Sequence, residues 1–182
     1  MPLLSFGRAL PVGVESRAEW FALTLHQVLQ PEEIASRLNP LLPPGMEVLR
    51  VEPVEKSRRT EQAVGEAFTL RLPSVEETTA AARCFADFAE LPERMLTRET
   101  KKGPRTADIR PLLREWSVAR PADGPEDAVE AVTFVTDWSI SYLSPMVFCM
   151  AILETLGAPE TLRQRINLYK TAQLFADGQT YP

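Results

Sequence analysis

The sequence predicts an α+β fold of short strands and short helices, on three observations. Several short runs alternate apolar with polar residues, a pattern typical of half-buried strands. Two longer segments carry apolar residues at helical spacing and begin with residues that favour helix starts. Sixteen prolines interrupt the 182 residues, which limits the length of each element.

The first quarter of the chain predicts the order β-β-α-β. The expected elements are strands at 3–14 and 19–29, a hairpin loop at 14–18, a helix from Pro31 and a strand at 46–54. In the second strand, Phe21, Leu23 and Leu25 alternate with smaller or polar residues and are expected to face a core. Pro31 and two following glutamates suit the first turn of a helix, and the Asn-Pro pair at 39–40 ends it.

The remainder of the chain predicts the order β-α-β-β-β-α-β. The expected elements are strands at 66–72, 129–138 and 164–175, helices at 75–91 and 145–156, and a basic hairpin at 93–117. Ser74 and Glu77 have the spacing of a capping box at the first helix, and Gly157 follows the second where a C-cap glycine belongs. The second helix is apolar on almost every side, which favours a core position over an interface.

Strands joined by two helices in this order predict a ferredoxin-like α+β sandwich. The first quarter resembles part of the same kind of unit, so we expect two ferredoxin-like subdomains, the first incomplete. Residues 55–63 are polar and charged and are the best candidate boundary. The predicted domains are therefore residues 1–55 and residues 64–182.

The sequence also predicts a cytoplasmic location. Cys84 and Cys149 lie far apart without CxxC spacing, which fits a reducing compartment, and both fall in predicted helices where buried, inert thiols are expected. The first residues lack the basic and apolar regions of a signal peptide. The most apolar stretch, residues 145–153, is too short to span a bilayer.

A basic stretch at residues 94–114 stands out in an acidic chain. It holds seven basic and two acidic residues, a local charge of +5 in a chain of net charge −5. Gly103 and Pro104 favour a reversal at its centre, so we expect a two-stranded hairpin with Lys101, Lys102 and Gly103 at its tip.

Two interpretations of this hairpin remain open. In the first it binds phosphate groups, with RNA as the main candidate and Trp116 near enough for stacking. In the second its lysines and arginines only protect an exposed sheet edge from pairing. The candidate anion-binding residues are Arg98, Lys101, Lys102, Arg105 and Arg110.

Asp108 and Arg110 are the candidate catalytic residues. On a strand they would share a face, so that a carboxylate acts as a base or nucleophile beside a guanidinium group. The alternative is an Asp that forms an ion pair or closes the turn before Pro111 by hydrogen bonding, and this alternative is favoured.

No metal or cofactor site is expected from the sequence. His26 is the one histidine, it falls on the polar face of its predicted strand, and no cluster of metal-ligating residues accompanies it. The glycines form neither a dinucleotide-binding fingerprint nor a P-loop.

Three segments resemble the DUF2344 family of radical SAM-linked proteins. They are SFGRALPVGVESRAEWFALTL at residues 5–25, PEEIASRLNPLLPPGMEVL at residues 31–49 and TADIRPLL at residues 106–113. The resemblance extends over residues 5–175, and the PVGVES and DIRP signatures together are its most specific part. Typical members carry a further strand and helix before the SFG segment, so the resemblance implies that the first subdomain is incomplete here.

Members of that family are encoded beside, or fused to, a radical SAM enzyme, so the resemblance implies such an enzyme as a partner. This chain lacks the CxxxCxxC motif and cannot hold the iron–sulfur cluster itself. We therefore expect a non-catalytic accessory module that helps present RNA or another anionic substrate. The alternative is an enzyme that acts on RNA with Asp108 and Arg110 in its site.

Overall fold

The computed structural model describes residues 3–54, 63–120, 130–176 and 180–181. The strands and helices, in chain order, are β1 (Leu3–Phe6), β2 (Val14–Ser16), β3 (Phe21–Thr24), α1 (Pro31–Leu38), β4 (Gly65–Arg71), α2 (Val75–Glu90), β5 (Met95–Thr100), β6 (Gly103–Asp108), β7 (Leu113–Ala119), β8 (Ala131–Asp137), α3 (Pro145–Thr155), α4 (Glu160–Gln164), β9 (Asn167–Leu174) and β10 (Thr180–Tyr181). Antiparallel strands and helices coexist, so the prediction of an α+β fold is confirmed.

The chain divides into two compact units. The first combines Met1–Gly7 with Trp20–Glu61, and the second combines Arg8–Glu19 with Gln62–Pro182. The observed division thus differs from the predicted one in residues 8–19, which belong to the second unit. Residues 55–62 of the predicted linker lie outside the described residues. That the first unit is a partial ferredoxin-like subdomain stays a prediction.

In the first unit, β1 pairs with β3 in an antiparallel register that sets Phe6 opposite Phe21. Helix α1 begins at Pro31 as predicted. The strand expected at 46–54 is wrong, because Val48 is bound instead by the Asn39 side chain, which accepts from its N–H at 2.8 Å and donates to its carbonyl at 3.3 Å.

The core face expected for β3 is not formed. Phe21 is 40% exposed, and no described residue of the first unit falls in the buried class. A two-stranded sheet with one short helix offers too little surface to enclose a core.

The second unit is built on one sheet with the strand order β10-β9-β4-β8-β7, and β2 lies parallel beside β9. The pairs β4–β8, β4–β9 and β7–β8 are antiparallel. Helix α2 lies between β4 and β7 in the chain, and α3 and α4 lie between β8 and β9. Within the sheet, β8 is the strand between β4 and β7. This strand order, with a helix in each of the two long connections, is consistent with the ferredoxin-like arrangement that the sequence predicts.

Aromatic side chains fill the space between this sheet and its helices. Phe68 of β4 stacks on Phe134 of β8 with ring centroids 5.3 Å apart, and Phe85 of α2 contacts Phe134 at 5.1 Å. Phe148 of α3 meets Phe88 of α2 edge to face at 5.9 Å. Burying such large rings supplies most of the stabilisation of a core this size.

The helix ends follow the sequence signals closely. The Ser74 hydroxyl accepts from the Glu77 N–H at 3.2 Å, which confirms the predicted cap. The Glu77 carboxylate does not complete the box but pairs with Arg165 at 3.0 Å. Gly157 follows α3 with φ of +73°, the left-handed conformation that glycine adopts without strain.

Two segments differ from their predicted state in the second unit. Val14–Ser16, expected inside a hairpin loop, forms β2 and pairs with β9. Val14 is buried there, and this burial favours the strand over a solvated loop. The last strand predicted from the sequence ends at residue 175, but the structure has a further strand, β10, which pairs with the end of β9.

Candidate functional site

The basic hairpin is the antiparallel pair β5–β6, which forms a two-stranded sheet of its own. The predicted hairpin is confirmed over residues 95–108, whereas β7, also inside the predicted range, belongs to the main sheet. The Thr97 and Thr106 hydroxyls meet across the strands at 2.8 Å. On the other face Leu96 packs against the core, so the ribbon is fixed at its base and projects at its tip.

Arg98 lies directly opposite Arg105 in the hairpin register. Directly opposed residues share a face of the ribbon, with Cβ atoms roughly 5 Å apart. The side chains of Arg98 and Arg105 therefore extend from the same face of the ribbon and lie close to each other. Like charges in this position destabilise a strand pair, so the arrangement is unfavourable unless an anion compensates it.

Four candidate anion-binding residues surround the outer half of the ribbon. Lys101, Lys102 and Arg105 are exposed, and Arg98 is half-buried. Within the described part of the chain, none of the four forms an ion pair. A shallow concavity of about 410 Å³ at the tip is lined by residues 100–105. These cations are available to a partner.

The tip is held by a short turn. Gly103 has φ of +99°, and no other residue type among the described residues has a positive φ. The Thr100 hydroxyl donates to the Gly103 carbonyl at 2.7 Å and accepts from the Lys102 N–H at 3.1 Å. The glycine therefore closes the turn, and both lysines keep ordinary backbone conformations at its outermost point.

Asp108 fastens the base of the hairpin. Its Oδ1 accepts from the N–H groups of Arg94 at 2.7 Å and Arg110 at 3.0 Å. The Ile109 N–H donates to the Arg94 carbonyl at 2.8 Å, and its side chain is buried. This is the hydrogen-bonded Asp that closes the turn before Pro111, the alternative favoured from the sequence.

Arg110 joins this base to the end of α2. Its Nε and Nη2 donate to the Ala89 carbonyl at 3.1 and 2.5 Å, and its Nη1 donates to the Leu113 carbonyl at 3.3 Å. The guanidinium also lies 6.0 Å from the Phe88 ring centroid. Arg110 follows the end of β6 within a 3-10 turn, so it does not share a strand face with Asp108. The roles predicted for these two residues stay predictions.

Trp116, the residue expected to stack on bases, lies on β7. Its ring makes a tilted contact with Phe85 at 6.2 Å, and it is half-buried against the core. One side of the ring is therefore occupied by the protein.

A second cluster of polar side chains is buried at strands β4 and β9 of the main sheet, and it was not predicted from the sequence. Lys170 on β9 is 1% exposed. Its Nζ lies 3.3 Å from Oε1 of Glu66, which is also buried, and it pairs with the Glu19 carboxylate as well. Oε2 of Glu66 accepts from the Trp138 indole N–H at 2.8 Å. We call Glu19, Glu66, Trp138 and Lys170 the buried ion cluster.

The PVGVES segment closes this cluster from one side. Ser16 Oγ donates to Glu19 Oε1 at 2.7 Å and accepts from the Ala18 N–H at 3.0 Å. The Arg17 N–H donates to the Lys170 carbonyl at 3.2 Å. Together with the β2–β9 pairing, these bonds attach residues 8–19 to the second unit.

Tyr142 lies at the edge of the buried ion cluster. Its ring meets Trp138 edge to face at 5.3 Å, and the Arg8 guanidinium lies 4.0 Å above it. Burial raises the pKa of the Tyr142 hydroxyl, and the carboxylates of Glu66 and Glu19 raise it further against the opposing effect of Arg8. The hydroxyl therefore remains protonated at neutral pH and can donate a hydrogen bond.

One signal of this cluster was present in the sequence. Alternation in β9 placed Lys170 on the same face as Ile166 and Leu168, and a lysine on a core-facing position requires a counter-charge. Its partners Glu66 and Glu19 are 104 and 151 positions away, so only the folded sheet reveals them.

The two cysteines and the residue types that ligate metals are the remaining candidates. Cys84 and Cys149 are free and buried, as predicted, and burial raises the pKa of the Cys149 thiol to about 12. Within the described ranges, no three residues of the His, Cys, Asp and Glu types come together as metal ligands. In the same part of the chain, no helix is both long enough and apolar enough to cross a membrane.

The fold and these two sites define a small α+β protein that carries an exposed basic ribbon and, separately, a compensated, buried ion cluster. The profile of a bacterial family, described as "Uncharacterized protein conserved in bacteria (DUF2344)", matches residues 1–145. The chain belongs to this family. The match contains the basic hairpin, Glu19, Glu66 and Trp138, and it ends before Lys170. No curated protein matches the sequence.

Proposed function

We propose that this protein is a cytoplasmic, non-catalytic accessory module that binds RNA through the basic hairpin and presents it to a radical SAM enzyme. The observation that carries the proposal is the directly opposed pair Arg98 and Arg105, beside the unpaired Lys101 and Lys102. Four uncompensated cations on one projecting ribbon create a local positive field on an acidic chain, and phosphate groups are its natural ligands.

The hydrogen bonds at the base of the hairpin favour a role in holding a ligand over a catalytic role. Asp108 and Arg110 are engaged by backbone groups that hold the ribbon against α2 and the core. A rigid base lets a bound polyanion be held in one orientation. The alternative function, an enzyme with Asp108 and Arg110 in its site, gains no support from this geometry, because a catalytic carboxylate needs convergent polar groups around a substrate.

The proposed partner rests on the family context, in which members accompany a radical SAM enzyme. The cytoplasmic location rests on the two free, buried thiols, which fit a reducing compartment.

Co-purification tests the proposal. The tagged chain is co-expressed with the radical SAM enzyme of the same genome, and the bound protein and RNA are both measured after a wash. We expect both to be retained. The variant Lys101→Gln/Lys102→Gln/Arg105→Gln is expected to lose the RNA and keep the enzyme.

The matched control is Arg83→Gln/Arg163→Gln/Arg165→Gln, which removes the same charge from another part of the second unit. It is expected to retain both. The proposal would be contradicted if the parent chain retained neither RNA nor the enzyme. It would also be contradicted if the two triple variants lost RNA to the same extent.

A further inference from the structure

The basic hairpin contains no aromatic residue from Met95 to Asp108. Proteins that bind single-stranded nucleic acid depend on aromatic side chains on which successive bases stack. Trp116 is not a substitute, since its ring contacts Phe85 and is half-buried on the core. The ribbon therefore offers charge without a stacking surface.

The hydroxyl groups of the hairpin are also occupied. Thr97 and Thr106 bond to each other across the strands, and Thr100 bonds within the turn. The threonine hydroxyls are the uncharged groups of the ribbon that could form hydrogen bonds with base edges, and each already has a partner within the hairpin. What remains for a partner is the set of four cations and the one exposed carboxylate of Glu99, so the free side chains are predominantly positive.

The cations follow the long axis of the ribbon. Arg98 and Arg105 form one row across the strands, and Lys101 and Lys102 lie at the turn beyond it. On each strand two residues separate the arginine row from the lysines of the turn, so the two are three residue steps apart, a distance of roughly 10 Å. The strand pairing fixes the spacing of the positions that bear these cations, and such spacing matches a ligand whose phosphates are themselves held in a fixed geometry.

We infer that the ligand of the basic hairpin is the sugar–phosphate backbone of double-helical RNA, recognised by shape and charge rather than by base sequence. This inference rests on the proposed function and specifies its substrate class. A-form RNA has a major groove too deep and narrow for side chains to read, and its recognition depends on phosphate and ribose contacts.

Fluorescence anisotropy with defined oligonucleotides tests the inference. The probes are a short RNA duplex, its two separate unstructured strands, a second duplex of unrelated sequence and a DNA duplex of the first sequence. The parent chain is expected to bind both RNA duplexes with equal affinity and the separate strands at least about tenfold more weakly. The DNA duplex is expected to bind more weakly than the RNA duplex of the same sequence, because its groove dimensions differ from those of A-form RNA.

Two double variants locate the contact. Arg98→Gln/Arg105→Gln is expected to reduce duplex affinity by tenfold or more, whereas Arg83→Gln/Arg165→Gln leaves it within about twofold. Circular dichroism melts establish that each variant is folded.

The outcomes separate this inference from the proposed function. Strands bound as tightly as the duplex, DNA bound as tightly as RNA, or a tenfold preference between the two RNA duplexes would each overturn the double-helical RNA assignment and leave RNA binding by the hairpin intact. Absence of binding to every RNA probe would overturn both.

Discussion

The buried ion cluster and the basic hairpin differ in whether their positive charges have a counter-charge. Lys170 is enclosed by the sheet and meets two carboxylates, whereas Lys101 and Lys102 are exposed and meet none among the described residues. Burying an ammonium group without a partner costs several kcal/mol, so a core lysine must be compensated. An exposed lysine is hydrated and needs no partner for folding.

This difference separates groups that serve the fold from groups that are free for a ligand. The cluster attaches the PVGVES segment to β9 and is an internal connection. The hairpin cations contribute nothing of that kind, and the Arg98–Arg105 pair is unfavourable on its own. Under the proposed function, an anion bound at the hairpin supplies the missing counter-charge for this pair.

The largest expected effect is at Lys170. Lys170→Met removes the ammonium but leaves Glu66 buried beside apolar groups, so we expect a loss of about 3–5 kcal/mol in the free energy of unfolding. Chemical denaturation measures it, with Lys101→Met as the matched control that changes by less than about 1 kcal/mol. A Lys170→Met protein as stable as its parent would contradict the claim that Lys170 serves the fold by compensating the buried carboxylate of Glu66.

A pH effect of a few kcal/mol is expected from the buried thiol of Cys149. Its pKa in the folded state is about 12, raised chiefly by burial, while the unfolded chain releases the thiol proton near 9. The thiol's contribution to stability is therefore complete below pH 9 and is lost as the pH rises toward 12. Denaturation of the parent and of Cys149→Ala between pH 9 and 11 checks this, and the parent should fall more steeply. Parallel pH profiles would show that the thiol is not linked to folding.

A smaller effect is expected at the base of the hairpin. Asp108→Ala leaves the N–H groups of Arg94 and Arg110 without their acceptor, which costs about 1–3 kcal/mol. Asp108→Asn keeps an oxygen in place and should lose less than half as much. Denaturation of the two variants decides between this structural role and a purely chemical one, since a catalytic Asp108 would leave stability unchanged in both.

The smallest expected effect on stability is at the hairpin cations. Arg98→Gln removes one of two opposed like charges, so the free energy of unfolding should stay equal or rise by a few tenths of a kcal/mol. The same substitution at Arg165, which pairs with Glu77, should be equal or slightly unfavourable. Destabilisation by more than about 1 kcal/mol at Arg98 would mean that the arginine serves the fold and would weaken the contrast with Lys170.

Elements with local signals were predictable from the sequence. Helix α2 follows from the Ser74 cap, α3 from its apolar run and Gly157, and the hairpin from Gly103 and Pro104 at the centre of the basic stretch. Each signal acts over a few residues, so neighbouring positions in the sequence already contain the information.

Features that depend on distant parts of the chain were not predictable. Strand β2 exists because Val14 pairs with Leu168, and the buried ion cluster exists because Lys170 meets Glu66 and Glu19. Asp108 is an intermediate case, since its partners are near in sequence but its carboxylate suits either a turn or a reaction. For the site, the sequence located the cations, and only the register showed that Arg98 opposes Arg105.

The central claim is that the hairpin cations are available for phosphate groups, and the salt dependence of RNA affinity tests it most directly. Affinities of the parent and of Lys101→Gln/Lys102→Gln/Arg105→Gln are measured for an RNA duplex at several salt concentrations. If each cation contacts one phosphate, the slope of log affinity against log salt falls by about 0.9 per residue, or about 2.7 in all, while the melting temperature is unchanged. An unchanged slope and affinity in the triple variant, or a parent chain that binds no RNA, would contradict the account.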